Sequence, residues 1–380
     1  MQEKNKMTPS LYIHIPFCAK KCCYCDFYSI VYEEELAAAY VDALAAQMSG
    51  IDSGVSTVFI GGGTPSALCM PSLKKLLRAA RGLASEGAEF TVEANPESLD
   101  AGKLRLLLDE GVNRLSIGVQ SFDDKKLKRL GRIHSAKKAV DSVMLAKKKG
   151  FDNLNIDLIF GAPGETLNDC YSELARAVKL PLTHISSYGL TYEKGTPLYN
   201  ARKNGCIIPV DEEDTAQMYS FAIGYLPKHG FRHYEVSNFA EKNFKCRHNL
   251  NYWQNGEYIG LGPSAVSYIG GARKRHVPDV TEYIKRAKAG KSTIVSSERL
   301  TGERKAKETA AVRIRTAEGI NFDWFRKKTG FGLEELEADA LRKLSDAGLI
   351  KYKRTKGRTA AISLTEKGFL FCDTVSSELM

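Results

Sequence analysis

Residues 11–29 read LYIHIPFCAKKCCYCDFYS, an apolar strand followed at once by four cysteines between positions 18 and 25. Cys18, Cys22 and Cys25 stand in a C-x3-C-x2-C pattern just after the strand. Thiolates are soft ligands suited to iron-sulfur clusters or zinc, and a loop this short lets three sulfurs converge without help from distant parts of the chain. The fourth ligand of a tetrahedral or cubane site is then unaccounted for. Cys23 adjoins Cys22, so convergence of both side chains on one metal is awkward; a zinc knuckle completed by Cys23 or a histidine is the alternative to a [4Fe-4S] cluster. Held by three cysteines, such a cluster keeps one iron open to another molecule.

Further apolar runs recur at Thr57 to Ile60, Glu89 to Val92, Arg114 to Val119, Asn153 to Phe160 and His184 to Tyr188. Between them lie stretches such as EELAAAYVDALAAQM (34–48), HSAKKAVDSVMLAKKKG (134–150) and LNDCYSELARAVK (167–179), with apolar residues three and four apart. Strands separated by helices of that length need crossover connections, which makes the sheet parallel. Six such units predict an α/β fold, a partial (β/α)6 TIM-like barrel, with the loops after the strands as its chemical face.

After about residue 210 the rhythm changes. Residues 213–229 read as another helix, while FRHYEVSNFA (231–240) and CRHNLNYWQNGEYIGLGPSAVSYIGG (246–271) are too polar and glycine-rich for simple core elements. Near Leu300 a third region begins. LEELEADALRKLSDAGLI (333–350) predicts one helix ending at Gly348, and KYKRTKGRTAAISLTEKGFLF (351–371) a short basic hairpin and a further helix. The expected division is a core domain over 1–236, a haem- or substrate-binding linker over 237–295 and a helical, winged-helix-like domain over 296–380.

With 380 residues, 43% hydrophobic and 26% charged, the chain can bury a full core. MQEKNKMTPS (1–10) has no apolar run behind it to act as a signal sequence. No stretch approaches the roughly 18 apolar residues of a membrane span, so the expected location is the cytoplasm. Nine cysteines in such a chain fit reduced thiols available for metal better than a disulfide scaffold. The net charge of +10 favours an anionic partner, a sign shared by nucleic acid, acidic lipid and carboxylate-rich small molecules.

The cysteine motif, with Tyr24 before its last cysteine, resembles the signature of the radical S-adenosylmethionine (SAM) superfamily. YIHIPFC, YCDFYS, FIGGGTPS, GVNRLSIGVQSF, LGRIH, NIDLIFGAPGET, YEVSNF and HNLNYW together resemble the oxygen-independent coproporphyrinogen III oxidase family over almost the whole chain. Within it they are most similar to the haem chaperone subgroup, HemW. The resemblance implies that Cys18, Cys22 and Cys25 hold the [4Fe-4S] cluster, whose open iron takes the amino and carboxylate groups of SAM. An electron from the cluster can then cleave SAM to a 5'-deoxyadenosyl radical. The methionine part of SAM is implied at Gly62, Gly63 and Thr64, where strand-end glycines also permit close approach and exposed amides or carbonyls. Glu93 can accept from both ribose hydroxyls. Gln120 and Asp157 continue this polar ring on the next two strands. Arg132 is implied near the SAM carboxylate or adenosine, Tyr12 and Tyr24 beside SAM, and Gly161 and Gly164 in the loop after the fifth strand. The plainer alternatives are core packing for the tyrosines, a surface position for Arg132 and a simple tight turn for GGGTP. Thr191 matches only loosely and is not included.

Two features divide the family. The oxidases carry a further cysteine two residues after the last ligand, and this chain has Phe27 there. HNLNYW (248–253) matches an H-N-x-x-Y-W motif associated with haem in the chaperones, which implies haem binding by His248; read alone, a histidine near aromatics is a structural or hydrogen-bonded residue. Histidine is a natural axial ligand, and tyrosine and tryptophan can pack on the macrocycle. Cys246 is a second soft donor nearby, whereas Val266 stands where the chaperones commonly have a histidine. The implied partners are haem and a haem-recipient protein, with an electron donor if the cluster is redox-active. The basic stretches GARKRH, GERKAK, RKKTG and KYKRTKGR read first as solvated surface, and beyond that suit haem propionates, acidic protein surfaces or peripheral membrane association. Nucleic acid is not the expected partner, because a winged-helix shape does not establish it. The readings rank as haem chaperone first, porphyrinogen oxidase second and radical SAM RNA-modifying enzyme third; whether the chaperone turns over SAM as an enzyme stays open.

Overall fold

The computed structural model describes residues 8–52, 54–355 and 358–380. Most of the opening stretch read for a signal sequence, and residues 356–357 within the segment expected to form a basic hairpin, lie outside them. Six strands form the frame: β1 (Ser10–Ile15), β2 (Val55–Gly62), β3 (Ala84–Ala94), β4 (Arg114–Gln120), β5 (Leu154–Phe160) and β6 (His184–Gly189). They pair in chain order, each parallel to the next. Between them run α1 (Glu34–Met48), α2 (Met70–Arg81), α3 (Ala101–Asp109), α4 (Asp124–Arg129) and α5 (Ala136–Lys149), and α6 (Leu167–Ala177) leads into β6. The crossovers form because each helix has one apolar stripe to bury; on α1 it is Ala37, Tyr40, Val41, Leu44 and Met48. Local signals set the ends. Thr166 and Asp169 cap α6 reciprocally, and Gly150, at φ 109°, closes α5 in a left-handed turn.

Beyond β6 come α7 (Pro197–Lys203) and α8 (Glu212–Tyr225), then β7 (Arg232–Glu235) and β8 (Asn238–Ala240); β8 pairs antiparallel with β6, and β7 antiparallel with β8 at the sheet edge. The chain then crosses to the other edge through α9 (Arg247–Trp253) and lays β9 (Tyr258–Leu261) parallel to β1. β10 (Val266–Ile269), β11 (Ala272–His276) and, after α10 (Val280–Lys288), β12 (Ile294–Arg299) follow antiparallel. The result is one twelve-stranded sheet running from β12 to β7, with no hydrogen-bonded closure between those ends among the described residues, hence a partial barrel. This corrects the expected linker over 237–295, whose strands extend the core sheet and whose Leu261, Val280 and Tyr283 share its hydrophobic core.

A second core, from Ala306 to Leu379, marks the C-terminal domain. It joins α11 (Gly302–Arg313) and several short helices to a three-stranded antiparallel sheet made by Ile320–Asn321, Ile350–Thr355 and Arg358–Leu364. The single helix expected over 333–350 is two, Leu333–Leu336 and Ala338–Asp346. The break falls at Glu337, where φ is −126° and the buried carboxylate meets Lys307 at 2.9 Å. No helix among the described residues is long and apolar enough to cross a membrane.

Candidate functional site

The carboxyl ends of the parallel strands open into a cavity of about 530 Å³. Cys18, Cys22, Tyr24 and Cys25 line it from the loop after β1, and Gly62, Gly63 and Thr64 from the end of β2. Glu93, Gln120 and Asp157 enter from β3, β4 and β5, and Arg132 from the turn after α4. Tyr12 and His248 do not line it.

The cysteine loop is fixed at its root by a parallel pair between Phe17–Cys18 and Ile30–Val31. Cys23 lies outside the cavity wall. Its amide donates to the carbonyl of Leu130 at 3.3 Å, its thiol to that of Arg129 at 3.1 Å, and its own carbonyl accepts from the Leu198 amide at 2.9 Å. These bonds tie the loop to the end of α4 and the start of α7, and leave Cys23 occupied elsewhere than as a fourth ligand. Thr64 donates its hydroxyl to Cys18 Sγ at 3.6 Å, and Arg132 donates to Cys22 Sγ at 3.4 Å. Such donors favour thiolates, whereas burial pushes the Cys25 thiol up to about 11 and that of Cys18 upward, so metal binding there displaces protons. Among the described residues no three cysteine, histidine or acidic side chains already stand in metal-ligating geometry. The three thiols share one wall on a short loop instead. Three soft sulfurs, with the fourth cysteine turned away, fit a cluster with an open iron better than a closed zinc site.

Of the exposed amides or carbonyls expected at the glycine segment, the amides are taken within the chain: Gly62 donates to Glu93 Oε2 at 3.0 Å, Gly63 to the Ile15 carbonyl at 2.8 Å and Thr64 to the Phe17 carbonyl at 2.7 Å. The absence of side chains is demanded by packing. A Cβ on Gly63 would lie 2.7 Å from the Phe17 oxygen, and one on Gly62, at φ 105°, 2.4 Å from the His14 ring. The segment therefore splices the cysteine loop to β2 and leaves no free amide at Gly62, Gly63 or Thr64.

Electrostatics separate the polar residues by role. Burial, then the neighbouring Asp157, pushes the Glu93 carboxyl up to about 8, so it carries its proton at neutral pH. Asp157, also raised by burial, accepts from Asn155 at 2.9 Å and Ser116 at 3.2 Å. Arg132 is braced by Asn95 Oδ1 at 2.6 Å and the Gly118 carbonyl at 2.8 Å. Gln120 ends β4 at φ 63°, a left-handed conformation uncommon for a side-chain-bearing residue and often found at functional sites.

Tyr12 sits within the barrel, bonded to His14 Nδ1 at 2.9 Å and close to the Phe59 ring, rather than on the cavity wall. His248 departs further from its expected role. It is 1% exposed, its Nδ1 lies 2.7 Å from Thr57 Oγ1, its Nε2 lies 3.0 Å from the Tyr252 hydroxyl, and its ring stacks on Phe59. Neither ring nitrogen is free for iron, and burial lowers its pKa to about 3, so the ring is neutral. Asn95, Tyr188 and Leu190 line the cavity without having been singled out, and Thr191, set aside as a loose match, lines it too. The rule that function gathers after strand ends reaches Asn95, one residue past β3, and Leu190, one past β6.

Residues 12–175 match the radical SAM superfamily. Heme chaperone HemW of Bacillus subtilis (strain 168) is 36% identical over 96% of this chain and 97% of that protein. Heme chaperone HemW of Lactococcus lactis subsp. lactis (strain IL1403) is 36% identical over 95% and 94%, and that of Escherichia coli (strain K12) 41% over 68% and 70%. Among solved structures, the coproporphyrinogen III oxidase HemN from Escherichia coli, a radical SAM enzyme, shares the fold at a TM-score of 0.84 and 22% identity, covering 99% of this chain and 91% of that one. Joined to the three-cysteine cavity and the partial barrel, the near full-length identity assigns the chain to the heme chaperone HemW family of the radical SAM superfamily.

Proposed function

We propose that the protein binds haem and hands it to a recipient protein, with a [4Fe-4S] cluster on Cys18, Cys22 and Cys25 and SAM in the cavity beside them. The observation that carries this reading is the 36% identity running along 96% of the chain to a heme chaperone matched over 97% of its own length. When bound, the cluster and SAM supply one-electron chemistry. The chain's own residues supply position. Arg132, braced on two oxygens, offers a fixed cation to a carboxylate. Protonated Glu93 can both donate to and accept from a hydroxyl pair, and Gln120, Asp157, Thr64 and Tyr24 shape the surrounding wall. Phe27 is 62% exposed at the mouth and gives the cavity an aromatic edge where the oxidases carry a thiol.

His248 ligates haem iron only once a ring nitrogen is released, because Thr57 of β2 holds Nδ1 and Tyr252, on the same helix α9, holds Nε2. Delivery needs a recipient protein, and an electron donor enters only if the cluster changes oxidation state. The deciding experiment reconstitutes the cluster anaerobically and measures haem binding, haem transfer to an apo-acceptor and coproporphyrinogen decarboxylation in one preparation. Transfer without vinyl product is expected. Decarboxylation at many turnovers overturns the carrier reading. In parallel, His248→Ala is expected to change haem absorbance and weaken binding; unchanged spectra and affinity exclude His248 as the ligand.

A further inference from the structure

We propose that the groove between the β7–β8 hairpin, the start of α9 and the C-terminal domain docks an acidic segment of a partner polypeptide. The groove encloses about 620 Å³ and gathers Arg232, Lys242, Lys245, Arg247 and Lys353 from these three parts of the fold. Two carboxylates share its wall, Glu241 and Glu318, and Glu318 is already held by Lys245 and Arg313, each at 3.1 Å. Among the described residues no carboxylate pairs with Arg232, Lys242, Arg247 or Lys353. Arg247 is braced on the Gly87 carbonyl at 2.8 Å and Lys353 on the Glu318 carbonyl at 3.0 Å. Carbonyl anchors fix Arg247 and Lys353 in place without neutralising them, and with Arg232 and Lys242 beside them the cations of the groove outnumber Glu241 and Glu318, which leaves a net positive field.

The form of the groove selects its occupant. A bilayer is flat and cannot enter a cleft walled by two domains. Single-stranded nucleic acid binds where rings are offered for stacking, but Tyr234 is 2% exposed and His233 packs between Phe239 and Phe369. A flexible chain with several carboxylates can reach cations spread over a hairpin, a helix and a neighbouring domain. The inference does not depend on haem transfer, since it asks only for an acidic polypeptide. The same groove includes Arg247 and Leu250, which flank His248 on α9, so its occupant touches the helix that carries that histidine.

The test is fluorescence anisotropy of a fluorescein-labelled polyglutamate peptide titrated with the full chain at low and raised salt. The exposed pair Arg232→Glu with Lys242→Glu is expected to weaken binding by roughly tenfold or more. Lys285→Glu with Lys288→Glu, an equal charge change on α10 outside the groove, is expected to alter it less than about twofold. Equal losses from the two double variants overturn the proposal, as they mean diffuse attraction to a basic protein. Absence of peptide binding at low salt also overturns it, and so does an RNA oligonucleotide that outcompetes the peptide with the same dependence on Arg232 and Lys242.

Discussion

At Cys23 the two chemical readings of the cysteine loop separate. Its thiol and backbone are engaged with Arg129, Leu130 and Leu198, so Cys23→Ala removes one weak thiol bond and leaves the ligand set intact. The expected outcome is unchanged iron content and an unchanged cluster spectrum with and without SAM, with a stability loss of about 1 kcal/mol in denaturant titration. Loss of metal would instead make Cys23 a ligand. Glu93 gives a second test. Its carboxyl is raised from the ordinary 4.5 to about 8, so between those values the unfolded chain has released a proton that the folded one retains. This contribution is full below about 4.5, falls as pH rises and is flat above about 8. Glu93→Gln should flatten that part of the stability curve of the cofactor-free protein and raise stability near pH 8 by up to a few kcal/mol. A variant with the wild-type slope would show that Glu93 ionises normally. The positions of Cys18, Cys22, Cys25 and Glu93 on the cavity wall were legible because spacing and strand ends announce them. The consumed amides of Gly62, Gly63 and Thr64 were not, since their acceptors belong to β1, the residues after it and β3.

At the scale of the element, α9 explains why a motif and its geometry can point in different directions. Its first turn rests on Glu89 of β3, whose carboxyl group accepts from the Arg247 and His248 amides at 2.9 and 3.0 Å and from the Cys246 thiol at 3.5 Å. Thr57 of β2 then holds the His248 ring. Nothing near HNLNYW announces these partners, which lie far away in sequence; read locally, a histidine among aromatics is a structural, hydrogen-bonded residue, and only the family resemblance makes it a haem ligand. Glu89→Gln replaces one accepting oxygen with a donor beneath this helix and is expected to cost about 1–3 kcal/mol. It should quicken amide exchange at Arg247 and His248 and, if release of α9 exposes the ligand, tighten haem binding. Faster exchange with unchanged haem affinity would separate α9 release from haem capture. The six repeated strand-helix units were legible for the opposite reason, because each carries its own apolar stripe and next-door partner. β9 to β12 were hidden by short, glycine- and charge-rich strands, the first of which pairs with β1 at the other end of the chain.

Across the whole molecule, the two cores meet where β7 joins the turn after α11. The Val236 amide donates to the Arg315 carbonyl at 3.1 Å and the Ala317 amide to that of Tyr234 at 3.0 Å, while Arg315 lies over the Trp253 ring at 5.8 Å. Glu235 is sealed into this junction at 1% exposure, and burial, only partly offset by Asn238, Trp253 and Arg315, raises its carboxyl to about 7. Its contribution is therefore greatest below the ordinary 4.5, declines as pH rises towards about 7 and changes little above that. The protein has two tryptophans, and Trp324→Phe leaves Trp253 as the reporter of the junction. Its emission should shift with a midpoint near 7 as Glu235 takes up charge beside it, and Glu235→Gln should abolish the shift while leaving the spectrum of the acid form. Emission that stays flat between about pH 6 and about pH 8 in the parent would mean that the carboxyl does not change its protonation state in that range and that the domain junction does not respond to pH.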